Sequence, residues 1–148
     1  MVYDNYVANI NNKYPIVKYK IIDEIYTYIG KKSNKHYLFT AKCYTETGNV
    51  FQFFKLYKNN DINALDDFNL TQLPYSTNVH SDGNPIYPAV FGPLVTAKKS
   101  KVTNLVESLN CQIRHYTSQL HRKTLCYAKS FANLENKLAL IFLSRIIN

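Results

Sequence analysis

The sequence has no tryptophan, four glycines, five prolines and three cysteines among its 148 residues. The cysteines Cys43, Cys111 and Cys126 form no Cys-x-x-Cys pair. Neither a disulfide framework nor a structural zinc site is therefore expected. The longest apolar run is six residues, far below the roughly 18 that cross a bilayer. The first residues also lack the basic start and apolar stretch of a signal peptide. We expect a soluble protein of the cytoplasm.

Acidic residues are also scarce, and their placement is uneven. The chain carries 18 Lys and Arg against 10 Asp and Glu, a net charge of +8. Residues 98–148 hold nine of the basic side chains and only two of the acidic ones, whereas residues 1–97 are nearly neutral. A basic segment beside a neutral one is typical of nucleic-acid-binding proteins. On charge alone, a cationic face that merely aids solubility fits as well.

The length and the 46% apolar content predict one globular domain. The predicted elements, in chain order, are strands at 18–29, 36–45 and 50–57, a helix at 62–73, strands at 77–81 and 94–97, and C-terminal helices. Turns at 30–35 and 46–49 make the first three strands an antiparallel meander. Asp61 is the expected N-cap of the first helix, and residues 83–93 are expected to form a loop. This order predicts an α/β, ribonuclease H-like fold with a mixed sheet.

Three acidic residues occupy positions where function is expected. Asp23 lies in the middle of an apolar strand, where a carboxylate is costly unless it is paired or binds a metal; alternation would send Glu24 to the opposite face. Asp82 ends the fourth strand, where ligands often bind, although an Asp-Gly turn is a simpler reading. Glu107 lies opposite an apolar helical stripe at 105, 109, 113, 116 and 120, and Arg114 shares its face two turns later. An exposed polar face would explain the last pair equally well.

At these residues the sequence resembles transposases of the insertion-sequence-one family, in their catalytic (InsB-type) portion. The matching stretches are residues 23–33 (DEIYTYIGKKS), 81–87 (SDGNPIY), 103–107 (TNLVE), Arg114 and 122–130 (RKTLCYAKS). Their order and spacing match from about residue 18 to 146. The last stretch is the most specific, because no general structural rule makes such a run recur.

The resemblance implies a DDE catalytic domain at 18–148 in which Asp23, Asp82 and Glu107 hold two Mg²⁺ or Mn²⁺ ions and Arg114 is the basic residue that follows the glutamate. It implies metal-dependent cleavage of element ends and transfer of the 3′-OH ends into target DNA, by a multimer in the bacterial cytoplasm at the nucleoid. Basic residues of the C-terminal third would bind DNA phosphates. They are Lys98, Lys99, Lys101, Arg122, Lys123 and Lys129.

Two positions depart from the family pattern: Asn84 stands where tryptophan is common, and Ser108 where a basic or amide residue often follows the glutamate. Residues 1–17 are interpreted as a lead-in, the remnant of a linker to a DNA-recognition module encoded elsewhere. The chain would then be a separately encoded or truncated half. The alternatives are an inactive DNA-binding relic and another ribonuclease H-like nuclease.

Overall fold

The computed structural model describes residues 2–116 and 128–146. Its helices are α1 (Val2–Lys13), α2 (Ile62–Gln72), α3 (Ile86–Phe91), α4 (Asn104–Tyr116) and α5 (Phe131–Ile141), the last continued by a wider turn at Phe142–Ile146. Its strands are β1 (Tyr19–Ile29), β2 (Lys31–Tyr44), β3 (Val50–Tyr57), β4 (Val79–Ser81) and β5 (Val95–Ala97). No helix in these ranges combines the length and apolarity needed to cross a membrane.

The strands form one mixed sheet in the order β3-β2-β1-β4-β5. The first three strands are an antiparallel meander, while β4 pairs parallel to β1 and β5 parallel to β4. Helix α4 packs on β1 and β2, and α2 packs on β3. The predicted α/β, ribonuclease H-like fold with a mixed sheet is confirmed.

The first hairpin is tighter than the sequence suggested. The turn predicted at 30–35 is reduced to Gly30, and β2 already begins at Lys31. Gly30 has φ of +74°, in the left-handed region that glycine enters without a steric penalty. Residues 31–35, which had been predicted as a turn, are therefore the exposed first part of β2.

The segment 83–93, predicted as a loop, contains α3 and a 3₁₀ turn at Gly92–Leu94. The prolines of this segment had suggested irregular structure. Pro85, however, immediately precedes α3, and Pro88 is the third residue of that helix. The N–H groups of the first helical turn have no partner in the helix, so proline is tolerated there. The helix buries Tyr87 and Phe91.

The buried face of α4 differs from the predicted stripe by about one residue. Val106, Leu109, Asn110 and Ile113 are buried, at the spacing of one helical face. Leu105 and Tyr116, which the prediction placed on that face, are 39% and 41% exposed; position 120 lies outside the described residues. The prediction was right at 109 and 113 and wrong at 105 and 116, because it followed apolar residues alone, whereas the contact face includes the polar Asn110.

Helix α1 lies within residues 1–17, for which the sequence predicted only a lead-in. Tyr3 and Val7 are buried against the core. The Tyr3 hydroxyl donates to the Phe54 carbonyl at 3.2 Å and accepts from the Phe54 N–H at 2.9 Å. This segment therefore packs on the outer strand β3, and the division at residue 17 stays a prediction.

Candidate active site

A cavity of about 390 Å³ lies where β1, the end of β4 and α4 meet. The four side chains singled out from the sequence, Asp23, Asp82, Glu107 and Arg114, all line it. Lys99, from the segment between β5 and α4, lines it too. The fold thus gathers residues from three separate parts of the chain around one space.

Strand register brings Asp23 and Asp82 together. In the parallel pair of β1 and β4, Lys20 lies opposite Val79 and Ile21 opposite His80. Continuing this register two residues brings Asp23 level with Asp82, just past the carboxyl end of β4. Ends of parallel strands are the usual ligand-binding edge of an α/β sheet.

Asp23 is held by α4 and by its own strand. Its Oδ2 accepts a hydrogen bond from Asn110 Nδ2 at 2.9 Å, and its Oδ1 accepts from the Glu24 N–H at 2.9 Å. Asn110 in turn accepts from the Thr40 hydroxyl at 2.6 Å, and both are buried. Burial raises the pKa of Asp23 to about 7; the Glu24 N–H opposes this, and the charges of nearby acids add to it.

Glu24 follows Asp23 on β1 and lines the same cavity, but its hydrogen bonds run to the start of α3 rather than to α4. Its carboxylate accepts from Asn84 Nδ2 at 2.9 Å and from the Tyr87 hydroxyl, both near the start of α3. Nevertheless, carboxylate oxygens of Asp23, Glu24 and Asp82 all lie within 4.8 Å of one another. The sequence analysis did not count Glu24 as a site residue.

Asp82 and Glu107 differ in their surroundings. Asp82 Oδ1 accepts the N–H of Asn84 at 2.9 Å, which closes a turn directly after β4. Glu107 is outside the close group of three acids; its Oε1 lies 3.3 Å from Lys99 Nζ, and its side chain is 43% exposed. It nevertheless lines the same cavity and acts electrostatically on Asp23.

The donor set fits a hard divalent cation. Three carboxylates supply only oxygen ligands, which Mg²⁺ and Mn²⁺ prefer. The mutual repulsion that helps to raise the pKa of Asp23 is what a bound cation would offset. Asp23, Asp82 and Glu24 are the described residues close enough to share one ion.

Neither the cavity-lining Asn110 nor the contact between Lys42 and Ser108 was identified from the sequence. Asn110 follows Glu107 by three residues, so a search of the i+3 position on the same helix would have indicated it. Ser108 Oγ lies 3.3 Å from Lys42 Nζ, so a lysine from β2 reaches the position where the family often has a basic or amide residue.

The basic side chains assigned to DNA are only partly within the described residues. Lys98, Lys99 and Lys101 are exposed between β5 and α4, and Lys129 is exposed just before α5. Arg122 and Lys123 lie outside the described residues, as does most of the 122–130 stretch. The described lysines leave their charge accessible to a large anionic partner.

Comparison with known proteins identifies a family for this chain. The chain matches the model of the IS1 transposase family over residues 16–146. No curated protein and no solved structure matches it. Since the matched region covers nearly the whole chain and contains every candidate site residue, this protein belongs to the IS1 transposase family.

Proposed function

We propose that this chain is the metal-dependent catalytic domain of a transposase, which cleaves the ends of an insertion element and joins the 3′-OH ends to target DNA. The observation that carries the proposal is the shared cavity of Asp23, Asp82, Glu107 and Arg114 in a chain of this family. Such a cavity can receive a phosphodiester next to a cluster of carboxylates.

Asp23 and Asp82 would be the principal ligands, with Glu107 as the third acid of the triad. Two Mg²⁺ or Mn²⁺ ions bound there would activate the attacking hydroxyl and stabilise the leaving oxygen of the phosphodiester. Asn110 holds one oxygen of Asp23 through a 2.9 Å hydrogen bond. This contact leaves the carboxylate in one orientation before any ligand arrives, a form of preorganisation.

The cationic residues of the cavity would receive the DNA backbone. Arg114 lines the cavity and carries a planar guanidinium suited to phosphate oxygens. Lys99 Nζ is 3.3 Å from Glu107, so it neutralises this acid and stands where a phosphate would enter. The exposed Lys98, Lys101 and Lys129 would add affinity without sequence choice, as would Arg122 and Lys123.

Recognition of particular element ends needs more than phosphate contacts. We propose that it comes from a DNA-recognition module encoded elsewhere, and that the chain works as a multimer on DNA. Asn84 stands where the family commonly has tryptophan, but it still contacts the site, because it hydrogen-bonds to both Asp82 and Glu24.

The test is Mn²⁺-dependent nicking and strand joining on DNA that carries the element's terminal repeats. We expect Asp82→Asn and Glu107→Gln each to lower the rate by at least about a hundredfold while DNA affinity persists. Glu46→Gln, which removes an exposed acid from the turn between β2 and β3, is the matched control and should retain activity.

Two results would contradict the proposal. A folded wild-type protein that binds DNA but neither nicks nor joins it, even with the recognition module supplied, would be a DNA-binding relic. Cleavage of branched DNA without strand joining would instead indicate a different ribonuclease H-like nuclease.

A further inference from the structure

We propose that Glu24 is a positioning residue of the metal centre: its carboxylate fixes the turn that carries Asp82 against β1, and thereby sets the spacing between Asp82 and Asp23. The inference rests on the proposed function, since it concerns how the same carboxylate cluster is held. It assigns a role to a side chain that lies beside the predicted triad without belonging to it.

Asp82 needs such an anchor because the sheet holds it only weakly. Strand β4 is three residues long, and its paired positions with β1 are Val79 and His80. Asp82 lies beyond the strand end, followed by a glycine, where no ladder hydrogen bond fixes the chain. A ligand that must stay within a few tenths of an ångström of its working position requires support from neighbouring side chains.

Glu24 supplies that support through three donors from two different segments. Oε1 accepts from Asn84 Nδ2 at 2.9 Å and from Asn60 Nδ2 at 3.3 Å, and Oε2 accepts from the Tyr87 hydroxyl. Asn60 lies between β3 and α2, whereas Asn84 and Tyr87 flank the start of α3. One carboxylate thus joins β1 to both segments.

Asn84 is the link from Glu24 to Asp82. Its backbone N–H donates to Asp82 Oδ1 at 2.9 Å, and its side-chain Oδ1 accepts from the Ile86 N–H at 3.2 Å. Its Nδ2 is the group that binds Glu24. A shift of Glu24 would therefore be transmitted to Asp82 through a single residue.

Tyr87 makes the arrangement rigid. Its side chain is fully buried, and burial together with the negative charge of Glu24 raises the pKa of its hydroxyl well above the ordinary value. The hydroxyl therefore stays protonated and remains a donor. Because Tyr87 is in α3, the contact fixes the helix and the preceding turn relative to β1.

The hydrogen bonds also argue against Glu24 as a direct ligand. A carboxylate oxygen accepts about two hydrogen bonds, and Oε1 already has two donors. Oε2 is engaged by a buried hydroxyl that has no freedom to withdraw. Asp23 and Glu24 both line the cavity, but Asp23 hydrogen-bonds to α4 and has no such set of donors from α3. The two adjacent acids of β1 would therefore divide the work of ligation and positioning.

The experiment is Mn²⁺ titration of the whole chain without DNA, by calorimetry or by the electron paramagnetic resonance signal of free Mn²⁺, beside thermal unfolding in EDTA. We expect Asp82→Asn to abolish high-affinity binding. Glu24→Ala and Asn84→Ala should each weaken it about tenfold, the effect usual for groups that orient a ligand. Glu24→Gln keeps a hydrogen-bonding side chain of the same length and should stay within about threefold of wild type.

Two further variants separate positioning from other roles. Glu24 would act through Asn84, so the two substitutions should not add. The double variant Glu24→Ala/Asn84→Ala should bind Mn²⁺ no more weakly than whichever single variant has the lower affinity. Glu46→Gln, an exposed acid, controls for general electrostatics. If Glu24→Ala does not fold, Asn84→Ala and Glu24→Gln still decide the question, because neither empties a buried site.

Each other outcome overturns the inference. Glu24→Gln that loses as much affinity as Asp82→Asn makes Glu24 a ligand. If Asn84→Ala binds Mn²⁺ with wild-type affinity, Asn84 does not link Glu24 to Asp82. If Glu24→Ala unfolds at a lower temperature but binds Mn²⁺ as wild type does, Glu24 stabilises the fold without positioning the metal ligands. Unchanged binding in Asp82→Asn would instead refute the metal centre of the proposed function itself.

Discussion

Asp23 combines burial with a concentration of like charge. Glu24 and Asp82 have carboxylate oxygens within 4.8 Å of those of Asp23, and the Asn110 side chain donates a hydrogen bond to Asp23 Oδ2. Its pKa of about 7 means that the folded chain, without a cation, resists ionisation of this group. The residue that suits metal binding is therefore a source of instability while the metal is absent.

This instability predicts a pH dependence. The pKa of Asp23 in the folded chain, about 7, lies above that of an unfolded aspartate, so its stabilising contribution is complete below about pH 4 and is lost as the pH rises through 7. In EDTA we expect this group to lower the free energy of unfolding by on the order of 3 kcal/mol from pH 5 to pH 8.

Urea unfolding of wild type and Asp23→Asn at both pH values measures the effect. The variant should show a much flatter dependence, while Asp66→Asn, which removes an exposed carboxylate of α2, should retain the wild-type slope. Equal slopes in wild type and Asp23→Asn would refute the assignment.

Asn110 gives a second prediction at the scale of single residues. Asn110→Ala removes a partner of both Asp23 and Thr40, so one half-buried and one fully buried polar group lose a hydrogen bond. We expect a loss of about 1–3 kcal/mol in the free energy of unfolding, measured with urea. Gln112→Ala, at an exposed position of the same helix, should cost far less; similar costs would mean that the Asn110 contacts contribute nothing.

Among the elements, α1 shows how a helix can satisfy the unpaired backbone groups of an edge strand. Strand β3 is at the edge of the sheet, so its outward N–H and carbonyl groups have no strand partner among the described residues. The Tyr3 hydroxyl satisfies both groups of Phe54, and its ring lies edge-on against Phe54 at 4.4 Å between centroids. The helix thus packs against the sheet that carries the site.

Tyr3→Phe tests this role with a minimal change. The ring remains, but the buried N–H and carbonyl of Phe54 lose their partner, so we expect about 1–3 kcal/mol less stability in urea unfolding. Tyr75→Phe changes a side chain that is 54% exposed and should be nearly neutral. If both variants matched wild type, α1 would be a dispensable lead-in after all.

At the scale of the whole molecule, negative charge is concentrated in the carboxylate cavity and positive charge beside it, in a cationic margin formed by Lys98, Lys99 and Lys101. Lys98 and Lys101 are exposed in the segment that leads into α4, close in sequence to Lys99, which pairs with Glu107. An anionic DNA backbone would be attracted to this margin and would bring a phosphodiester to the acids, which repel it unless cations are bound.

The prediction for DNA affinity concerns its salt dependence. Lys98→Gln/Lys101→Gln should weaken binding for all sequences alike and reduce the slope of log K against log salt by about 2, since each phosphate contact contributes roughly one unit. Lys13→Gln/Lys18→Gln removes the same charge from α1 and the start of β1 and is the matched control. Equal slopes for the two double variants would place the DNA elsewhere.

Much of this molecule could be predicted from residue pattern. Local position together with the family resemblance singled out Asp23, Asp82, Glu107 and Arg114, four of the residues that line the cavity. Alternating and β-branched segments indicated all five strands, and Asp61 was predicted as the cap of α2 and does accept the Ala64 N–H at 2.9 Å. These features depend on contacts within a turn or along one strand. Local stereochemistry determines them, and so the order of residues alone reveals them.

Only the tertiary structure decided how the site is held. Asn110 binds Asp23 across 87 positions, and Tyr87 binds Glu24 across 63. Helical periodicity identifies a face of α4 but not the strand it will meet, which is why the stripe was displaced by a residue and the buried amide was missed. A hydrogen bond between distant segments depends on the packing of whole elements, and no local pattern in the sequence encodes that geometry.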